Sequence, residues 1–293
     1  MRSIFRIPSD DMAGDARRRV PIPCEGEEFA MTNPVLDTIK NRVSLRTYDS
    51  RPVTEEELQA ILEAAMRAPT AGNQMLYSII VIRNQDTKEK LAKSCDNQPF
   101  IAKAPLLLLF VADQHKWFDY YEKNGVKEFC EEHADQGYCF EAPQESDLFL
   151  ACEDTMIAAQ NAVIAAESLG IGSCYIGDIV ENYEYHQELF HLPEYVFPIA
   201  LLCLGHYKPD HHRVIQERFD PKFVVFEEEY RQLTDREYEE MYARENAGYR
   251  PDNHYGAKNF AQMFYARKTG AAFSKEMARS VRVALKDWDG RKL

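Results

Sequence analysis

The chain has 293 residues, 45% of them hydrophobic, enough to bury the core of one large or two modest domains. Its formal net charge of −13 has the wrong sign for a nucleic-acid binder, whose footprint is basic. No apolar run reaches the roughly 20 residues that span a bilayer, so no membrane segment is expected, and seven irregularly spaced cysteines read as reduced thiols of a cytoplasmic chain.

Residues 1–30 are rich in charge, Pro and Gly, lack any period, and read as a disordered N-terminal extension or an early start. They hold arginines but no apolar core for an export signal. The folded domain is expected over 31–293. Asn33 and Pro34 form an N-cap and first helical residue. Next comes RVSLRTYDSRPV, with Arg42, Ser44 and Arg46 on alternate positions, which an extended segment projects to one side. Thr54 and Glu57 make a capping box, and Leu58, Ile61, Leu62 and Ala65 form the stripe of the helix that follows. The loop TAGNQ leads into a strand at YSIIVIRN, a charged helix at DTKEKLAKSC, and a buried strand at PLLLLFVAD.

Residues 114–150 then mix acids with Trp117, Phe118, Tyr120, Tyr121, Phe129, Tyr138 and Phe140. So long a helical excursion is either a lid or binding wall near the active site or a plain surface hairpin. Asp154 is expected to cap an Ala-rich helix over TMIAAQNAVIAAESLG, whose narrow face suits a partner helix in the same subunit or in a second one. Strands at IGSCYIG and FPIALLCLG and a polar helical tail from Thr234 complete the chain. Alternating helices and buried-type strands imply α/β or α+β layering, with helices on both faces of one sheet.

The glycines of GIGSCYIG follow a helix and enter a strand, the reverse of a dinucleotide-binding turn, so Gly170 reads as a helix-ending glycine. No phosphate-binding P-loop or nucleophile elbow occurs. The clusters Cys130/His133/Cys139 and His206/His211/His212 lack metal-site spacing and read better as thiols and loop histidines. The arginine segment is more informative. Guanidinium forks match a phosphate bidentately and Ser44 adds a hydroxyl; the plain alternative is a solvated turn with salt bridges to Asp49 or Glu55.

Taken in order, RVSLRTYDSRPV, APTAGNQ, NQPFIAKAP, DTMIAAQNAVIAAESLGIGSCYIGDI, LPEYVFPIALLCLG and QERF resemble the oxygen-insensitive nitroreductase and NAD(P)H flavin reductase family, from about Asn33 to Trp288. The resemblance implies an α+β fold with a mixed central β-sheet flanked by helices, in an intertwined homodimer that binds FMN at the subunit interface. It places Arg42, Ser44, Arg46 and Arg218 on the FMN phosphate. Thr70, Gly72 and Asn73 would lie against the ring or ribityl chain, Gln98 would hydrogen-bond the flavin, and Tyr175, Ile176 and Gly177 would run beside the ring. The implied activity is FMN-dependent oxidation of NADPH or NADH with ping-pong reduction of nitroaromatics, quinones or flavins. A reductive dehalogenase, a flavin-modifying enzyme, a non-catalytic flavin sensor or a phosphoprotein-binding domain are the alternatives.

Overall fold

A computed structural model describes residues 33–290; the extension expected at 1–30 lies outside them. The Asn33 side chain accepts from the backbone N–H groups of Val35 and Leu36 and starts α1 (Pro34–Asn41). The Thr54–Glu57 capping box starts α2 (Glu55–Met66), which buries Leu58, Ile61 and Ala65. The chain continues through β1 (Tyr77–Ile82), α3 (Gln85–Ser94), α4 (Pro99–Lys103), β2 (Leu106–Asp113), α5 (His115–Lys123), α6 (Val126–Glu132), α7 (Glu145–Ser168), β3 (Ile171–Ile176), α8 (Tyr183–Phe190) and β4 (Val196–His206). Four further helices follow: α9 (Asp235–Met241), α10 (Ala243–Ala247), α11 (Phe260–Arg267) and α12 (Ala272–Ala284).

The strands form one sheet in the order β1-β2-β4-β3. All three ladders are antiparallel. The parallel component expected of a mixed sheet is a single bridge, Ser44 to Ser173, beside β3. Every residue of β2 is buried, because helices cover both faces. Leu106, Leu108 and Phe110 meet α2 and α7 through Leu58, Ile61, Ala158 and Ala162. Leu107, Leu109 and Val111 meet Leu91, Ile101 and Ile179 on the other side. This two-faced burial explains why β2 reads as a continuous apolar run without alternation.

Two sequence expectations need correction. α7 does not begin at Asp154: it starts ten residues earlier, where Gln144 and Asp147 form the capping pair. Asp154 is inside the helix and buried, and its carboxylate serves the loop before β1 instead. The excursion accordingly ends before residue 145, not at 150. It is a helical hairpin of α5 and α6, with Gly125 left-handed at the turn between them. The indole of Trp117 donates to the Gln74 carbonyl at 2.9 Å, and Phe118 stacks on Phe140 with centroids 5.6 Å apart. The indole contact docks the hairpin against the TAGNQ loop, and the stack holds the excursion's return segment to α5. Gly170 ends α7 with φ +75°, as its sequence position predicts.

Candidate functional site

The arginine segment is held open by the edge of β3. Leu45 is fully buried and its N–H donates to the Ser173 carbonyl at 2.8 Å. With Leu45 turned inward, its neighbours Ser44 and Arg46 turn outward. A Cβ at Gly172 would come within 2.6 Å of a Leu45 methyl, so bare backbone at 172 admits Leu45 and fixes the segment's height on the sheet.

The second wall comes from the chain after β4. Glu167, near the end of α7, accepts from the Tyr207 hydroxyl at 2.8 Å and pairs with Arg213. Arg213 also donates to the Asn41 carbonyl at 2.7 Å and lies over the Tyr207 ring at 4.2 Å. This latch ties residues 207–213 to α7 and to the end of α1. It brings the following segment across Arg42, and together they enclose a cavity of about 740 Å³ lined by Lys40, Arg42, Ser44, Arg46, His211 and Arg218, among others.

No acidic side chain among the described residues lines this cavity. Among the described residues, Arg42, Arg46 and Arg218 pair with no carboxylate. Arg46 sits over the Phe100 ring at 5.7 Å, and Arg218 reaches only the Gln216 carbonyl. The salt bridges of the plain alternative are absent, because Glu55 pairs with Arg83 and Asp49 accepts from the Arg51 backbone. The positive field extends onto β3. Burial pushes the Cys174 thiol up, and Arg46, Ser44 and Arg42 oppose it; burial likewise raises the Tyr175 phenol, against Arg42. Three guanidinium groups and a hydroxyl thus line one cavity of an acidic chain, a donor set whose chemistry suits a small dianion.

The remaining predicted residues fall into two groups. Tyr175 and Ile176 end β3 and lead into Gly177, where an added Cβ would meet nothing within 4 Å. Gln98 lies beside them, its amide donating to Asp178 at 2.7 Å. Phe100, two residues on, is the ring under Arg46, which itself lines the cavity. Thr70, Gly72 and Asn73 do not join it within one chain. They precede β1, which β2 and β4 separate from β3, about 14 Å at the usual strand spacing. Their loop is nonetheless tied down by hydrogen bonds. Thr70 donates to Asp154 and accepts from the Met75 N–H at 2.8 Å, while Ala71 and Leu76 N–H groups donate to the same carboxylate. Gly72 and Asn73 both take left-handed φ, near +55° and +58°, which Gly and Asn tolerate best.

Sequence reading missed Asp154, Asp178 and the latch. Asp154 resembled a helix cap; the other pairings span tens of residues and carry no local signal. His211 lines the arginine cavity, and no group of three or more potential metal ligands occurs among the described residues.

These features coincide with a known fold and family. The chain belongs to the nitroreductase family, whose sequence pattern matches residues 39–206. It is similar to the FMN reductase of Bacillus subtilis strain 168, 34% identical over 174 residues, or 59% of this chain and 66% of that protein. The chromium(VI) reductase of Pseudomonas sp. strain G-1 is 31% identical over 67% of this chain and 75% of its own length. Among solved structures, B. megaterium NfrA1 superposes with a TM-score of 0.72 at 28% identity, covering 88% of this chain and all of that one. The matched region thus spans 66% and 75% of the length of these two curated relatives.

Proposed function

We propose that this chain is an FMN-dependent oxidoreductase that takes electrons from NADPH or NADH and passes them in pairs to nitroaromatic, quinone or flavin acceptors. The observation that carries the reading is the convergence of Arg42, Arg46 and Arg218 on one cavity of an acidic chain that no carboxylate of the described residues lines. That donor set fits the FMN phosphate, and the open space at Gly177 fits a flat ring lying beside the end of β3.

When bound, FMN supplies the hydride-accepting and hydride-donating ring. The chain's own work is to hold and shield it. Arg42, Ser44, Arg46 and Arg218 anchor the phosphate. Tyr175, Ile176 and Gly177 present backbone beside the ring, and Gln98 meets its polar edge. No side chain is required as nucleophile, so positioning and electrostatics carry the rate.

The Thr70–Asn73 loop suits the site of a second copy. The homodimer reading draws support from α7, which exposes Phe149, Leu150, Met156 and Ile157 in one helix. α7 is apolar enough by composition to span a membrane, yet ten of its residues are buried in the core. The six described cysteines are free thiols, in keeping with a reducing cytoplasm.

The test is anaerobic addition of NADPH or NADH to the FMN-loaded protein, followed by a quinone or nitroaromatic. Loss and return of the yellow colour over many turnovers is the expected result. Loss without return would make it a non-catalytic flavin binder, and no uptake of FMN at all would refute the proposal.

A further inference from the structure

Gln98 carries an amide with two N–H donors and one carbonyl acceptor. One amide nitrogen, Nε2, reaches the Cys95 carbonyl at 3.1 Å and the Asp178 carboxylate at 2.7 Å. Both partners accept and neither can donate. The orientation of the amide is therefore forced by chemistry and does not depend on how its two ends are told apart. Both N–H groups are spent, one in a charge-assisted bond, and Oε1 receives no hydrogen bond from any described residue.

The surroundings hold this arrangement in place. Gln98 is the residue before α4, and its own N–H is tied to the Ala92 carbonyl at 2.8 Å. Asp178 follows Gly177 at the end of β3, in a single turn of helix closed by the Glu181 N–H on the Asp178 carbonyl. The amide is thus braced between the ends of α3 and β3, with Asp178 next in the chain to Gly177, where an added Cβ would meet nothing within 4 Å.

We infer that Asp178 is a positioning residue that fixes Gln98 as an acceptor-only group toward the ligand. This deepens the FMN reading and rests on it. The ligand must offer an N–H at that point, as the imide of an isoalloxazine ring does; a carbonyl or bare ring nitrogen there would face another acceptor. Specificity follows from the mismatch, because a ligand without the N–H leaves a desolvated carbonyl unpaired.

The experiment is a double-mutant cycle on FMN binding, read by flavin fluorescence, with 3-methyl-FMN as the probe that lacks the imide N–H. Wild-type protein must first bind FMN; failure there overturns the FMN reading and this inference with it, whereas the outcomes below overturn this inference alone. Asp178→Leu and Gln98→Leu are each expected to weaken FMN about 5–10-fold, and the double variant no more than Gln98→Leu alone. Both are expected to shrink the wild-type preference for FMN over 3-methyl-FMN. Asp178→Asn, whose amide oxygen still accepts from Gln98, retains wild-type affinity and preference. Where the leucine variant fails to accumulate, Asp178→Ser, too short to reach Nε2, replaces it. Equal weakening by the position-178 change in the presence and absence of Gln98, or an unchanged preference in Gln98→Leu, overturns the inference.

Discussion

Replacing Arg46 by alanine isolates the phosphate contact. Arg46 is exposed, pairs with no carboxylate among the described residues, and touches the Phe100 ring at 5.7 Å. An exposed cation–π contact is worth about 0.5–1 kcal/mol, so folding stability drops little and Tm falls by only about 2 °C for a chain this size. A charged hydrogen bond to phosphate is worth about 1.5–3 kcal/mol. Losing one fork at this three-arginine site is expected to weaken FMN by about 2–3 kcal/mol, roughly 30–150-fold. Riboflavin, which has no phosphate, provides the internal control. Titration of both ligands by fluorescence quenching should show FMN affinity falling in Arg46→Ala while riboflavin affinity stays put. Wild-type affinity for FMN, or equal losses for both ligands, would refute the phosphate assignment.

Three further outcomes are expected. Glu167→Ala removes the anchor of Tyr207 and Arg213; it should cost about 2–4 kcal/mol in urea unfolding and also weaken FMN through the displaced Arg218 segment. Glu181 is buried, and burial with Asp178, Asp96 and Glu276 nearby raises its carboxyl to about 7. The folded state thus binds its proton more tightly than the unfolded chain, and stability should fall as pH rises from about 4.5 to 7. Glu181→Gln should flatten that slope and gain about 1–2 kcal/mol at pH 8, after allowance for solvent screening; an unchanged slope in a pH series of urea melts would contradict it. Ile157→Glu places a charge on the exposed apolar face of α7 and should convert a dimer to monomers in sedimentation velocity, with loss of bound FMN; an unchanged sedimenting mass would contradict the interface.

Much of the scaffold was readable because its signals are local. The Asn33–Pro34 start, the Thr54–Glu57 box, the apolar run of β2 and the helix-ending Gly170 each depend on residues within a few positions of one another. The alternation of Arg42, Ser44 and Arg46 is equally local, and the Ser44–Ser173 bridge bears it out as extended chain. The start of α7 was misread because Asp154 has the chemistry of a cap, whereas Gln144 and Asp147 make a less common one. A buried mid-helix aspartate becomes intelligible only when the loop at residues 70–76 is seen to supply it with donors. The Glu167–Arg213 and Gln98–Asp178 pairs likewise join residues 46 and 80 positions apart. Nothing in composition or periodicity marks one residue of such a pair as the other's partner.

The central claim is that a trio of guanidinium groups holds the phosphate of a redox-active flavin. The most direct measurement is a co-crystal structure of the protein soaked with FMN. We expect the phosphate bound by Arg42, Arg46 and Arg218, with Ser44 donating and the ring lying along Tyr175–Gly177. A phosphate bound elsewhere, or an FMN-saturated crystal with this cavity filled only by solvent, would contradict it.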